Sequence, residues 1–375
     1  MQPIYLDYNA STPVDPAVAA AMRPFLETAY GNPSSPHWAG RPAKEAIEAG
    51  RAKVAGLLGC HVDEIVFTGG GSEANNQALI GVAHALRAKG DHIVTSAVEH
   101  PAILEPCRFL HTLGFRISYL PVDGTGRIDP DDLRRAITSK TILVSIMHAN
   151  NEVGTLQPIE EVSRITRERG VLLHTDAAQS IGKIATDVDT LGVDLLTVAG
   201  HKIYAPKGVG ALYVRRGTPL QPLIHGGGHE GGRRSGTESA LLTVGLGVAC
   251  KLAGDLQPVE RIRTLRDGFW EGLQTQFGDR AVLNGHREQR LPNTLNVSFV
   301  GEIGTEVLAR LDGVAASTGT ACHADRVELS SVLKAMQILP EIGLGAIRFS
   351  LGRGTTQAEI DTVLDRLAAV LETAT

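Results

Sequence analysis

This chain of 375 residues has few cysteines, no long apolar run and no strong excess of charge of one sign. No apolar run reaches the roughly 18 residues that a membrane span needs, and the first residues lack the charged and apolar regions of a signal peptide. The formal net charge of −5 is spread over both signs, so nothing favours nucleic acid or an anionic membrane as a partner. We therefore expect a cytoplasmic protein that binds neither.

Cysteine is limited to Cys60, Cys107, Cys250 and Cys322, whose spacings match no zinc pattern. A disulfide framework is implausible at this length, and we expect no metal. Cys250 lies in an apolar run typical of a buried helix and is predicted to be a core thiol. Cys322 lies among small and polar residues without a periodicity that would bury it. An exposed thiolate is a strong nucleophile, and the neighbouring His323 could aid deprotonation, but local sequence leaves a reactive and an inert Cys322 equally open.

Aromatic residues make up 4% of the chain and glycines number 42, which is typical of a loop-rich α/β enzyme. Short β-rich runs alternate with helical patterns such as 41–58, 73–89 and 158–169. Repeated βα units predict a mostly parallel, doubly wound sheet. Its seven expected strands are 65–68, 92–96, 116–120, 141–147, 171–175, 195–198 and 210–214.

The pattern changes after about residue 256. A long helix (259–276) leads to strands at 294–300 and 346–351, and then to a helix from Gln357 with one apolar face. We expect two domains: a large α/β domain over 15–255, and a smaller α+β domain made of 1–14 and 256–375 that carries the Cys322 loop.

Two polar residues, Asp176 and Lys202, each follow an apolar strand of the predicted sheet. Ligands of α/β sheets bind where such strands end. A buried Asp that holds a protonated pyridine nitrogen, beside a Lys that forms a Schiff base, is the pair that pyridoxal phosphate needs. Either residue alone would more often be a solvated or salt-bridged strand end, so the prediction depends on the two together.

Further candidates follow other predicted strands. Gly69–Gly71 and Ser72 open a helix and offer backbone N–H groups and a hydroxyl to a phosphate, although a plain turn fits the glycines equally well. His100 begins another helix and could lie over a coenzyme ring and move protons. Asn151 follows the central strand and is either a turn former or a hydrogen-bond donor to the coenzyme. Arg353 could bind a substrate carboxylate or form a surface ion pair.

In this order, these segments resemble the cysteine desulfurases of the NifS/IscS type, which are class V aminotransferases of the pyridoxal-phosphate fold type I. The resemblance runs nearly end to end, from Tyr5–Thr12 and Gly31–Ser35 to the Cys322 loop and Ser350–Arg353. It implies that Lys202 binds the coenzyme's aldehyde carbon, and it implies L-cysteine as substrate and L-alanine as product. Cys322 would accept the sulfur as a persulfide and supply it for biosynthesis, such as iron–sulfur clusters or thiolated tRNA, through an acceptor protein that the sequence does not identify.

The resemblance also implies the remaining roles. Asp176 would bind the pyridine nitrogen, Gln179 the ring hydroxyl, and His100 would stack on the ring and carry protons. Thr237 would reach the phosphate from a neighbouring subunit, so a homodimer is expected. The other implied contacts are Gly71, Ser72 and His201 to the phosphate, Asn151 to coenzyme and substrate, and Asn32 and Arg353 to the substrate carboxylate.

Three positions depart from the family's pattern. Ala199 stands where a phosphate-binding serine is usual, which removes one hydrogen bond, or about 1 kcal/mol. His229 stands where Gln is common. The loop from Ala321 to Asp325 is closer to that of selenocysteine lyases, which also lack the serine. L-Selenocysteine is therefore the alternative substrate, and an aminotransferase of the same fold is a more distant alternative.

Overall fold

Seven short runs of mostly buried residues form the central sheet of the molecule. The computed structural model describes residues 3–318, 321–323 and 326–372. Within them the sheet has the strand order β2-β8-β7-β6-β5-β3-β4, in which β8 runs antiparallel to both neighbours and the other pairings are parallel. The strands are β2 (Ile65–Thr68), β3 (His92–Ser96), β4 (Arg116–Leu120), β5 (Thr141–Ser145), β6 (Leu172–Asp176), β7 (Leu195–Ala199) and β8 (Gly210–Val214).

Helices connect and cover these strands. In α3, buried residues recur every three or four positions along one face, and the helix ends at Gly59, whose φ of +72° suits glycine. The α-helices before residue 256 are α1 (Pro16–Met22), α2 (Pro24–Glu27), α3 (Arg41–Leu58), α4 (Gly71–Ala85), α5 (Pro101–Thr112), α6 (Pro130–Ala136), α7 (Ile159–Arg169), α8 (Val188–Leu191) and α9 (Ala240–Ala253).

A second, antiparallel sheet lies in the C-terminal part, with the strand order β12-β15-β10-β9. Its strands are β9 (Ala281–Asn284), β10 (Thr294–Phe299), β12 (Ser317–Thr318) and β15 (Ala346–Ser350). Two short pairs accompany it: β1 (Ile4–Tyr5) with β11 (Val314–Ala315), and β13 (Ala321–His323) with β14 (Arg326–Glu328). The helices here are α10 (Gln257–Phe277), α11 (Gly304–Arg310), α12 (Ser331–Ala335), α13 (Pro340–Gly343) and α14 (Gln357–Glu372).

The apolar core largely follows this division. One cluster contains residues from Ile4 and Leu6 and from Ile262 to Leu371, and it fills the space between the smaller sheet and helices α10 and α14. Two other clusters lie on the two faces of the large sheet. Leu329, Leu333 and Met336, although C-terminal in sequence, pack into the large sheet's core. The domain boundaries at residues 14/15 and 255/256 stay a prediction.

The predicted fold class is confirmed: an α/β architecture with a mostly parallel seven-stranded sheet and a smaller antiparallel one. Among the described residues no single helix is long and apolar enough to cross a membrane; α9 and the helical stretch that follows it meet that test only as a pair bent by 72°.

Candidate active site

One pocket lies at the edge of the large sheet where strands β2, β3, β5, β6 and β7 end. Its volume is about 690 Å³. The parallel order of these strands places at one edge the polar residues that follow them, as the sequence predicts. The pocket is lined by eight of the predicted site residues: Gly71, Ser72, His100, Asn151, Asp176, Gln179, His201 and Lys202.

Lys202 ends a single 3₁₀ turn directly after β7, and its amine points into the pocket. Nζ donates to two backbone carbonyl oxygens, those of Asn9 at 2.7 Å and Ala10 at 2.8 Å. In the part of the chain that the structure describes, no carboxylate forms a salt bridge with it. Burial, and secondly the positive charge of Arg348, lower the pKa of Lys202 to about 8. Lys202 is therefore an amine with an appreciable neutral fraction near physiological pH, as a nucleophile towards an aldehyde must be.

Asp176 is the last residue of β6 and is buried. Oδ2 accepts a hydrogen bond from Nδ2 of Asn75 at 2.7 Å, and Oδ1 accepts one from the backbone N–H of Ala178 at 2.9 Å. These two donors leave further lone pairs of the carboxylate free. A protonated ring nitrogen could bind there without displacing a salt bridge.

His100 caps the N-terminus of α5, with Nδ1 accepting a hydrogen bond from the backbone N–H of Ala102 at 3.0 Å. An acceptor at Nδ1 places the proton of the neutral ring on Nε2. Desolvation first, and then the charge of Lys202, lower the pKa of His100, with Asp176 opposing them. The ring is therefore neutral at physiological pH, which suits a residue that stacks on a coenzyme ring; its role as proton carrier stays a prediction.

The phosphate end of the pocket is the turn at Gly69–Gly71, which opens the 15-residue helix α4. Gly70 has a φ of +147°, which favours glycine, and a Cβ added to Gly71 would lie 3.0 Å from Cβ of Ala199. The turn thus brings backbone N–H groups of a helix N-terminus to the pocket wall, where an anion binds. Ser72 and His201 also line this wall.

Gln179 and Asn151 also line the pocket, and Asn151 differs in role from its neighbour Asn150. Oδ1 of Asn150 accepts the backbone N–H groups of Glu152 and Val153, so Asn150 is the turn former. Asn151 is the pocket residue, and its carbonyl oxygen accepts a hydrogen bond from Arg348 at 3.0 Å.

Three predicted site residues lie outside this pocket. Asn32 is exposed, and its Oδ1 accepts the backbone N–H of Ser34 in a local turn. Thr237 is exposed and does not line the pocket of its own chain. The guanidinium of Arg353 lies 4.6 Å from the ring centre of Tyr204 and donates to the carbonyl oxygen of Leu252, in a second crevice that Lys202 also lines.

The arginine that lines the pocket is Arg348, which the sequence analysis missed. It is buried within β15, and Nη2 forms a 2.7 Å ion pair with Oδ1 of Asp7. Nε is buried without a hydrogen-bond partner among the described residues. A guanidinium with an unused donor is suited to a carboxylate ligand. The sequence does carry a signal: Arg348 interrupts the apolar run of β15, where an unneeded charge would be costly.

Cys322 lies in β13, opposite Val327 of β14. Its side chain, like residues 324 and 325 of the predicted loop, lies outside what the structure describes. Cys60, Cys107 and Cys250 are free thiols; Cys107 and Cys250 are buried, and desolvation raises the pKa of each of the three to about 12. All three are therefore poor nucleophiles.

These residues fit pyridoxal phosphate. The N-terminus of α4 at Gly71, where a Cβ would crowd Ala199, suits the phosphate. The carboxylate of Asp176 suits the ring nitrogen, and the amine of Lys202 suits the aldehyde carbon.

Comparison with known proteins agrees with this fit. The family model for class-V aminotransferases matches residues 4–363. A protein named cysteine desulfurase IscS from Dictyoglomus turgidum is 50% identical over 373 residues, which cover 98% of this chain and 94% of that protein. One of the same name from Methanosarcina thermophila is 45% identical, covering 98% and 92%.

Solved structures give the same result. A NifS-like protein superimposes with a TM-score of 0.93 at 39% identity, covering 99% of this chain and all of that one. The structure of SspA in complex with cysteine superimposes with a TM-score of 0.84 at 37% identity, covering 94% of this chain and all of that one. The chain belongs to the class-V aminotransferase family, whose coenzyme is pyridoxal phosphate.

Proposed function

We propose that this chain is a pyridoxal-phosphate-dependent cysteine desulfurase, which converts L-cysteine to L-alanine and leaves the sulfur on Cys322 as a persulfide. The observation that carries the proposal is the meeting in one pocket of the amine of Lys202, the carboxylate of Asp176 and the guanidinium of Arg348. The relatives named cysteine desulfurase and the similar structure that contains cysteine support the choice of substrate.

Bound pyridoxal phosphate would supply an electron sink for bond breaking at the substrate's α-carbon. Asp176 would keep the ring nitrogen protonated, because the two donors that it accepts stabilise its negative charge. Once the substrate amine has taken its place, Lys202 would be free to remove the α-proton, since its pKa of about 8 leaves the amine partly neutral.

Arg348 would bind the substrate carboxylate. Its guanidinium is anchored by Asp7 and the carbonyl oxygen of Asn151, so little side-chain entropy remains to be lost on binding. The anchored geometry also fixes which side of the substrate faces Lys202.

In the sulfur step the thiolate of Cys322 would attack the substrate sulfur. A sulfur–sulfur bond forms as the bond from sulfur to the substrate's β-carbon breaks, and the electron pair of that bond passes to the β-carbon, which takes up a proton to give alanine. His100 would be the proton carrier. The persulfide then awaits an acceptor.

Mass spectrometry of the holoenzyme after incubation with L-cysteine tests this step. We expect one added sulfur atom on the peptide that contains Cys322, and none in a Cys322→Ala variant that keeps its coenzyme. Cys60→Ala is the matched control, because the pKa of Cys60 is raised to about 12. Full desulfurase activity in Cys322→Ala would exclude Cys322 as the acceptor.

Ala199 stands where the family usually has a serine, which selenocysteine lyases also lack. Selenocysteine lyase is therefore the competing activity. The leaving selenium of that reaction needs no attacking cysteine. Turnover of L-selenocysteine that survives in Cys322→Ala, together with no turnover of L-cysteine by the wild type, would favour the lyase. Release of a keto acid instead of alanine would favour an aminotransferase.

We further propose a homodimer, a protein acceptor for the sulfur that serves iron–sulfur cluster assembly or tRNA thiolation, and a cytoplasmic location. The dimer is supported by the exposure of Thr237 outside its own pocket and by two exposed aromatic residues, Tyr30 and Trp38. The free thiols of Cys60, Cys107 and Cys250 support a reducing compartment.

A further inference from the structure

A second lysine, Lys183, has its side-chain amine next to the active-site pocket, in contact with a pocket residue but not lining the pocket itself. It follows Asp176 in the turn after β6, and its Nζ donates to Oε1 of Gln179 at 2.9 Å and to Oδ1 of Asn9 at 3.2 Å. It does not line the pocket that holds Lys202 and Asp176 but contributes to the crevice behind them. Lys183 therefore contacts the pocket residues through the amides to which it donates.

The environment of this ammonium is unfavourable for a cation. Within the described ranges no carboxylate pairs with Lys183, whose amine donates to the amide oxygens of Gln179 and Asn9. Burial first, and then the positive charges of Lys202 and Arg348, lower the pKa of Lys183 to about 7. A half-buried amine without a carboxylate partner costs stability, and such local conflicts are expected at functional sites.

Lys183 determines which end of the Gln179 amide faces the pocket. The Lys183 amine donates to Oε1 of Gln179, so the amide oxygen faces the lysine and the NH₂ group faces away from it. In the structure that NH₂ group donates to the carbonyl oxygen of Asn9 at 3.0 Å, beside the amine of Lys202 on the same oxygen. Gln179 thus presents a donor, and not an acceptor, to whatever occupies the pocket.

Asn9 fixes the arrangement from the other side. It is 1% exposed, and both ends of its amide are assigned by their partners. Oδ1 accepts from Lys183 and from Asn293, and Nδ2 donates to Oγ1 of Thr294 and to the carbonyl oxygen of Asn151. Neither amide can flip without placing like groups against each other, which costs at least one buried hydrogen bond.

We propose that Lys183 is a positioning residue, which with Asn9 holds the Gln179 side chain so that its NH₂ group donates to the ring hydroxyl oxygen of the coenzyme. This inference rests on the proposed coenzyme site. A flipped Gln179 would present its carbonyl oxygen to that ring oxygen and repel it. The ammonium, one amide away from the ring, also polarises the Gln179 N–H group and strengthens the hydrogen bond that it donates.

A double-mutant cycle on the coenzyme dissociation constant tests the proposal. Lys183→Met removes the donor and keeps an unbranched apolar side chain of similar length, and we expect the dissociation constant to rise about tenfold. Gln179→Leu alone should have a similar effect. If Lys183 acts through Gln179, adding Lys183→Met to Gln179→Leu should change the constant by less than about twofold.

Two further readouts separate positioning from a general effect on the fold. The thermal midpoint of coenzyme-free Lys183→Met should equal or exceed that of the wild type, since a buried cation is removed, and its visible absorption maximum with coenzyme bound should shift. Lys140→Met, at an exposed position, should change neither the spectrum nor the affinity.

Three results would overturn the proposal: an unchanged dissociation constant in Lys183→Met, the same tenfold loss on both backgrounds, or a lowered thermal midpoint with an unchanged spectrum. If the wild type itself binds no coenzyme, the proposed function fails instead. If the wild type binds and Lys183→Met binds equally well, this inference alone fails.

Discussion

At the scale of single residues, the lowered pKa of Lys202 gives a pH prediction. An ordinary lysine, with a pKa near ~10.4, would be less than about 1% neutral at pH 8. Lys202, with a pKa of about 8, is roughly half neutral there. The neutral amine attacks the aldehyde, so the rate of coenzyme capture by the coenzyme-free protein should rise as the pH increases through 8 and level off above it. Stopped-flow absorbance would measure the rate.

Two variants serve as controls for this pH prediction. Lys202→Ala should show no visible absorbance from captured coenzyme at any pH, and Lys140→Met should follow the wild-type profile. A wild-type rate that still increases steeply above pH 10 would mean that Lys202 titrates as an ordinary lysine and that its burial has no chemical consequence.

For the two arginines near Lys202 we expect substitutions to have different effects on KM for the substrate. Arg348 lines the pocket and Arg353 does not. Arg348→Met should raise KM for L-cysteine by roughly 30-fold, which corresponds to about 2 kcal/mol for a lost buried charge partner. Arg353→Met should raise KM by less than about threefold. Steady-state kinetics of both variants would measure this, and the reverse order would return the carboxylate site to Arg353.

Site residues near the ends of strands are easier to predict from the sequence than site residues that lie within a strand. Asp176 ends a buried strand, and Lys202 and His100 lie within four residues of the ends of two others; the parallel order of these strands brings their ends together. Arg348 was missed because it lies inside a strand, in an otherwise apolar run, and its pocket depends on how the smaller sheet packs on the larger one. No local pattern encodes that packing.

At the scale of secondary-structure elements, the seven strands of the large sheet lie within two residues of their predicted bounds. Their apolar runs are short and end at turns, so the sequence sets both limits. Helix α4 begins at Gly71, two residues earlier than its periodicity predicts, since glycines carry no apolar signal. The helix start proposed to bind phosphate is therefore predicted by its glycines and not by helical periodicity.

The start of α4 gives a prediction for Ala199. Its Cβ lies close to Gly71, so a serine hydroxyl there would be directed at the phosphate wall. Ala199→Ser should tighten coenzyme binding by about fivefold, equivalent to a net hydrogen bond of ~1 kcal/mol. Fluorescence titration of the coenzyme-free protein would measure the change. Equal or weaker binding by the serine variant would show that the phosphate does not reach this wall.

At the scale of the whole molecule, two of the predicted site residues lie away from the pocket of their own chain. Thr237 and Asn32, which the resemblance assigns to coenzyme and substrate, are both exposed and outside the pocket of their own chain. Tyr30 and Trp38, close to Asn32 in sequence, are each 79% exposed. Exposed aromatic residues of this size are typical of protein interfaces. A second copy could cover them and bring Thr237 to the neighbouring pocket.

If a partner completes the site, coenzyme affinity must depend on protein concentration. Sedimentation should show a dimer whose coenzyme binding weakens on dilution, because the monomer lacks the contact from Thr237. Trp38→Asp should shift the protein towards monomer and weaken binding with it, since a buried carboxylate is costly. Phe109→Asp, at an exposed position on α5, should alter neither property. A wild type that stays monomeric at all concentrations yet binds coenzyme tightly would show that one chain suffices.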